Sequence, residues 1–347
     1  MNINKKYIGI LSIAATILLS ACSSDDSGAQ NNTTDNTPVG DKMQVKTFSS
    51  LFADAGPTAV PHPTGFTAYT PDKRTTMGIY MLLAGAAPEE KSITYSDRWH
   101  AYFEVTADKT YTVYGYMPKT EDMNSTLVKN EGGATLTISG IKPVTTDDVC
   151  IITGVKETNV GLKEGQFSWY TPVGADTYYI NILIDHLYAA VMFSMKIDAE
   201  YANLRTIKVK QMELSTDKGS VKATISLTHN DTGASPVTDV TYTPSGSSCT
   251  AEIFNSEKGA ALDKTTPLVI NACFAPTLSN NLTLVTTYDV YDSKGNLIRE
   301  NCEATNKLPN LAAVRGQKVQ VNLTVNPTYL YVLSEPDLDN PTIKIEN

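Results

Sequence analysis

Four histidines, five cysteines and a few clustered acids are the side chains of this 347-residue chain with the chemistry to hold a metal or carry a proton. His62, His100, His186 and His229 stand far apart, and none belongs to an HExxH or HxH spacing that places two imidazoles on one ion. Cys150, Cys249, Cys273 and Cys302 form no CxxC pair and have no ligand-spaced histidine beside them, so no metal site is expected. Cys273 and Cys302 fall on strands expected to be neighbours, where they could bridge or, as the preferred reading, serve as small buried hydrophobes. Glu335, Asp337 and Asp339 lack the glycine and closing glutamate of a calcium loop and read as a solvated turn. A GxSxG elbow, a P-loop and a dinucleotide fingerprint are absent. The expectation is a protein that is not an enzyme and uses no cofactor.

The fifth cysteine stands in a different setting. Lys5 and Lys6 precede an apolar run from Ile8 to Leu19 and a small-residue stretch ending at Ala21, the build of an export signal. The run is shorter than the roughly 20 residues needed to span a bilayer. Leu19-Ser20-Ala21-Cys22 resembles the lipobox of bacterial lipoproteins. That resemblance implies removal of residues 1–21 as a signal peptide, acylation of Cys22, and the lipid bilayer as a partner. Ser23, Ser24, Asp25 and Asp26 open a polar stretch to about Asp41 that cannot bury a core, so residues 22–41 read as a flexible tether. The acidic pair resembles the surface-export signal of Bacteroidota lipoproteins, which implies outward display from the cell outer membrane. Losing residues 1–21 removes two lysines and no acid, moving the formal charge from −9 to −11. A body this acidic is a poor partner for nucleic acid.

The scaffold reads as all-β. Trp99, Ala101, Phe103 and Val105 alternate with Arg98, His100, Tyr102 and Glu104. Leu187, Ala189, Val191, Phe193, Met195 and Ile197 share one side of a long strand, and the same period of two recurs at Val221–Leu227 and Val319–Val325. Turn signals at Lys129–Gly133, Thr216–Gly219 and above all Asp292-Ser293-Lys294-Gly295-Asn296 separate the runs. No comparable segment shows helical spacing, so sandwiches of antiparallel sheets are expected and purely parallel sheets are not. Single cores stop growing at about 250 to 300 residues, which favours two domains, 42–185 and 186–347, meeting near Asp185-His186.

Several stretches together resemble the fimbrillin-like surface lipoproteins of Bacteroides and its relatives, the group of major and minor fimbrium subunits. They are Arg74-Thr75-Thr76-Met77-Gly78-Ile79-Tyr80, Tyr111-Thr112-Val113-Tyr114-Gly115-Tyr116-Met117-Pro118, His186-Leu187-Tyr188-Ala189-Ala190-Val191-Met192-Phe193, Gly316–Leu323 and the tail from Pro327. The resemblance implies two tandem transthyretin-like β-sandwich domains and a structural or adhesive role. Its partners would be other fimbrial subunits, joined by strand exchange, and host or bacterial surface ligands. In such proteins a surface protease cuts after a basic residue, the first strand leaves, and another subunit's tail replaces it. Here the matching residue is Arg74, with Lys73 as the alternative, and the departing strand would contain Gln44–Phe48, Gly65–Tyr69 or both. The donor strand would be Tyr329, Leu330, Tyr331, Val332 and Leu333 with a second piece at Thr342–Glu346; equally, this tail could fold back on its own domain.

A rival reading is a surface glycan-binding lipoprotein of a polysaccharide-utilisation system. Of the two tryptophans, alternation turns Trp99 inward and leaves Trp169, with Tyr170 beside it, as the aromatic platform for a sugar. Both readings share the anchor. The Cys22→Ser variant is expected to lose fatty-acyl labelling and to leave the membrane fraction in detergent phase partitioning; a variant that still sediments with membranes would refute the lipid attachment.

Overall fold

The computed structural model describes residues 43–55, 65–101, 104–330 and 335–346; the leader, Cys22, the tether and His62 lie outside them. The first half runs β1 (Met43–Ser50), β2 (Ala53–Asp54), β3 (Phe66–Tyr69), β4 (Thr76–Leu82), β5 (Glu90–Tyr95), β6 (Trp99–His100), β7 (Lys109–Met117), β8 (Asn124–Asn130), β9 (Gly133–Ile141), β10 (Val144–Thr145), β11 (Cys150–Lys156), β12 (Ser168–Thr171) and β13 (Tyr178–His186). The second runs β14 (Ala189–Ile197), β15 (Arg205–Thr216), β16 (Ser220–Thr228), β17 (Val237–Ser245), β18 (Cys249–Ala261), β19 (Leu268–Phe274), β20 (Thr283–Asp292), β21 (Leu297–Lys307), β22 (Gln317–Leu330) and β23 (Glu335–Glu346). Two 3-10 turns, at Tyr201–Asn203 and Pro276–Leu278, are the helical pieces among the described residues. The protein is an all-β sandwich fold.

Three layers of apolar side chains organise these strands. The largest sheet, β3-β1-β13-β11-β7-β4-β5-β6 with β12 on β7, rolls up until β6 approaches β1, where the Trp99 indole donates to Thr47 Oγ1 at 3.3 Å. Met77, Ile79, Val113, Ile152, Trp169, Ile180 and Ile182 fill the roll. Tyr114, Tyr116 and Ile151 leave the opposite face of this sheet and meet Leu136, Ile138, Val221, Ala223 and Ile225 from the sheet β17-β16-β9-β8. The third core lies between β10-β19-β14-β22, with β2 and β23, and the sheet β18-β15-β20-β21. It is built from Val191, Phe193, Met195, Val209, Leu214, Leu284, Tyr288 and Leu323.

Local sequence explains most of this placement. The alternation at Val221–Leu227 is the alternation of buried side chains in β16, while in β14 Val191, Phe193, Met195 and Ile197 face the core and Ala190 and Ser194 on the other face are buried too. Gly78 in β4 lies opposite Tyr116 of β7, and a Cβ there would stand 2.7 Å from the tyrosine ring. The missing side chain lets Tyr116 cross the strand and donate to Glu90 Oε1 at 2.9 Å. The Asp292–Asn296 signal closes the β20–β21 hairpin: the Asp292 carboxylate accepts from the Lys294 and Asn296 amides, with Gly295 at φ 85°. The Asn296 side-chain amide, which donates to the same carboxylate at 2.8 Å, and then the backbone bonds hold the Asp292 carboxyl below the usual aspartate range.

Three strand pairs depart from the antiparallel expectation: β1 runs parallel to β13, and β14 and β2 run parallel to β22. Parallel neighbours need a long crossover. Here the strands β3–β12 and β15–β21 provide it, so no helix is required. The neighbouring placement of Cys273 and Cys302 is also corrected: β19 and β21 belong to different sheets, and both cysteines are buried free thiols. Asp185-His186 ends β13, and the sheet β17-β16-β9-β8 takes strands from both sides of that point.

Phe193 is fully buried and Val128 is 60% exposed. Phe193→Ala is expected to cost about 3–5 kcal/mol in urea denaturation, against less than about 0.5 kcal/mol for Val128→Ala; equal losses would contradict the core assignment.

Candidate functional site

The N-terminal strands are set into the sheet rather than laid on it. Met43, Val45, Thr47 and Ser49 are buried and alternate with exposed Gln44 and Lys46, so β1 shows one face to the core. It pairs along Met43–Ser49 with Tyr178–Ile184 of β13, and β3 covers its other edge through Ser50–Thr47 against Phe66–Tyr69. A cleft of about 480 Å³ follows the seam between β1, β3 and the β5–β6 turn, lined by Lys46, Thr47, Tyr69, Tyr95, Asp97 and Trp99. Burial pushes the Tyr69 hydroxyl well up from its ordinary value.

Both basic candidates lie just after these strands. Lys73 and Arg74 are exposed in the turn Asp72–Thr75, where the Thr75 amide donates to the Asp72 carbonyl at 3.1 Å. Arg74 has φ 75°, uncommon outside glycine, and its amide donates to the Tyr95 carbonyl at 2.7 Å. The turn joins β1–β3 to β4 and the rest of the roll.

Between β1 and β2 the chain crosses a polar junction. Asp185, with 1% of its side chain exposed, receives Arg315 at 2.5 Å and the Ser50 hydroxyl at 2.6 Å. Arg315 also donates to the His186 carbonyl at 3.0 Å and to Ser235 at 3.3 Å. The Phe52 ring stacks on His186 with centroids 3.6 Å apart. His186 Nε2 lies 3.0 Å from the Ser50 carbonyl, which can only accept, so Nε2 carries a proton; Nδ1 lies 2.7 Å from Asp148 Oδ2. Cys150 stands opposite His186 in the β11–β13 ladder, and Asp148 precedes it by two positions. The ligand atoms of Asp148, Cys150 and His186 come within 4.8 Å of one another. Burial, then the Asp148 carboxylate, pushes the Cys150 thiol well up.

This cluster is invisible to motif spacing because Asp148 and His186 are 38 positions apart. Its readable trace was the pair Asp148 and Cys150 on one face at the start of a strand. The other histidines stay separate: His100 pairs with Asp97 at 2.9 Å, and His229 meets the Tyr114 hydroxyl at 2.5 Å.

The aromatic platform is corrected. Trp169 is fully buried, its indole donating to the Tyr179 carbonyl at 2.9 Å, because β12 turns Trp169 and Thr171 inward and Tyr170 outward. Tyr170 is 42% exposed and donates to Asp108. With Trp169 buried, Tyr170 is not half of the paired platform expected. The acidic turn is corrected as well: Glu335, Asp337 and Asp339 belong to β23, and Asp339 receives two nitrogens of Arg205, at 3.0 and 2.6 Å.

The tail pairs within its own chain. Tyr329 and Leu330 end β22 opposite Pro336 and Glu335, while 331–334 lie outside the described residues. Further along, Thr342–Glu346 pairs with Asn326–Asn322, and Ile343 is buried in the third core. The hydroxyls of Tyr201 and Tyr288 donate to the Leu338 and Pro341 carbonyls, and Asn306 donates to that of Ile343.

No family model and no curated protein matches the chain. Among solved structures it is similar to a candidate cell adhesion protein of Bacteroides fragilis NCTC 9343, at 13% identity over 88% of this chain and 97% of the other, TM-score 0.43. It is also similar to a fimbrial protein of Bacteroides vulgatus ATCC 8482, at 13% identity over 78% and 91%, TM-score 0.33. A third is the fimbrial anchor protein Mfa2 of Porphyromonas gingivalis, at 13% identity over 87% and 97%, TM-score 0.25. No family assignment follows from values this low.

The junction generates a stability test. Arg315→Met strands the Asp185 carboxylate without its cation and is expected to cost about 3–5 kcal/mol in urea denaturation, whereas Asp185→Leu combined with Arg315→Met recovers part of that loss. A single variant as stable as the parent would contradict a buried pair.

Proposed function

We propose that this protein is a structural or adhesive subunit related to fimbriae, held at the cell outer membrane through acylated Cys22 and joined to other fimbrial subunits by strand exchange. The observation that carries this reading is that β1, an inner strand, lies on the N-terminal side of an exposed basic turn. Cleavage after Arg74 would separate the lipid, tether and β1–β3 from the remaining body. Departure of β1 would bare the backbone donors and acceptors of Tyr178–Ile184 and open the core beside Ile180 and Ile182. An incoming strand of alternating apolar residues would satisfy both needs at once.

The lipobox resemblance and the acid-rich tether support surface display. The tail supports a further distinction. Its candidate donor pieces, Tyr329–Leu333 and Thr342–Glu346, would have to abandon the β22–β23 pairing and the contacts from Tyr201, Arg205, Tyr288 and Asn306. That hold favours a subunit that accepts a neighbour's strand while keeping its own, as a terminal member of a fibre would. Without cleavage, Cys22 keeps the whole subunit on the membrane. No catalytic step is assigned to any residue.

Limited digestion with a trypsin-like protease tests the reading. A single new N-terminus at Thr75 and oligomers that survive heating in detergent are expected, and Lys73→Gln with Arg74→Gln should abolish both. Scattered nicking, or cleavage at Arg74 that yields monomers only, would overturn strand exchange.

A further inference from the structure

The junction beside β1 carries a set of donors that no hydrogen-bonding role exhausts. Asp148 sits in the loop before β11, Cys150 opens that strand, and His186 closes β13 directly across the ladder. The alternation of side chains puts Asp148 and Cys150 on the face that His186 shares. The imidazole is held on two sides: Phe52 stacks on its ring, and the Ser50 carbonyl accepts from Nε2. This leaves Nδ1 aimed at Asp148. Metal-bound histidines commonly show the same arrangement, in which the far ring nitrogen donates to a backbone carbonyl and fixes the ring and tautomer.

The electrostatics point the same way. Asp148 Oδ1 is buried with no nitrogen or oxygen donor on it, and the Cys150 thiol faces the carboxylate within hydrogen-bonding reach. The nearby cation, Arg315, is committed to Asp185. One carboxylate and one thiolate would neutralise a dication, with a neutral imidazole completing three ligands. The mixture of oxygen, sulfur and nitrogen suits zinc and disfavours calcium or magnesium, which prefer oxygen alone.

We propose that Asp148, Cys150 and His186 bind one divalent transition-metal ion of the zinc type through a carboxylate oxygen, Sγ and Nδ1. Binding forms three metal–ligand bonds and releases to water the Cys150 thiol proton and the proton of the Asp148–His186 hydrogen bond. Tetrahedral zinc ligands stand about 3.4 Å apart, so the 2.7 Å Nδ1–Oδ2 contact must open slightly. Asp148 is placed to yield, since it lies in a loop and its side chain is 23% exposed. That exposed side gives the ion its entry path and leaves the fourth position to water.

Cobalt(II) is the probe, titrated into the mature chain carrying Cys22→Ser so that no lipid is present. The expected result is one equivalent bound with a thiolate-to-cobalt charge-transfer band, bleached by an equivalent of Zn²⁺. Cys150→Ser should remove the band while circular dichroism stays unchanged. Asp148→Asn, at the partly exposed ligand, and His186→Gln should each weaken cobalt binding by at least about tenfold. Cys249→Ser and Cys302→Ser should leave the spectrum as it was. The absence of a thiolate band in the folded parent, or a band that survives Cys150→Ser, would overturn the site.

Discussion

Each of the two strands that meet at Asp185–Ala189 needs a neighbour that the adjacent sequence does not provide. β13 is completed on one side by β1, from the N-terminal end of the described body, and β14 by β22, near the C-terminus. Both pairs are parallel and close only after the chain has built everything between them. A buried strand with an unpaired edge leaves a row of unsatisfied amides and carbonyls, each costing about 1–3 kcal/mol. The rest of the fold therefore depends on the two end segments being in place.

The ends do not contribute alike. β1 and β2 leave one sheet and enter another within a few residues, and Ser50 and Phe52 reach the junction of Asp185, His186 and Arg315 on the way. Burying that ion pair brings little net stability, since desolvation offsets much of the attraction. Its value is positional: hydrogen bonds with fixed geometry define where the N-terminal segment crosses. The tail is held instead by a ladder along β22 and by side chains reaching its carbonyls from the opposite sheet and from the Tyr201–Asn203 turn. Lys73 and Arg74 lie in an exposed turn beside the first end.

The same junction concentrates the chemistry of the described body. Asp148, Cys150 and His186 meet there because β11 and β13 are antiparallel neighbours in a register that sets residue 150 against residue 186. A shift of one position would turn Cys150 to the opposite face. The cluster and the strand pairing thus share one determinant, the register of the central sheet.

Local physics was legible without a structure. The period-two runs at Val191–Ile197, Val221–Leu227 and Val319–Val325 specify strands and the faces they turn to the core, with Val319 only partly buried, because the pleat sends successive side chains to opposite sides. Asp292–Asn296 specifies its hairpin, because an aspartate carboxylate and a glycine at positive φ close the turn within five residues. The lipobox resemblance at Leu19–Cys22 rests on a short linear segment that lies outside the described residues. Trp169 was misjudged because β12 is four residues long, too short for alternation to reveal its face. The parallel placement of β1 and β22, the separation of Cys273 from Cys302, and the meeting of Asp148 with His186 belong to the tertiary structure alone. Each rests on which distant strands pair and in what register, and that is decided by the packing of three shared cores and the satisfaction of backbone hydrogen bonds across the whole chain.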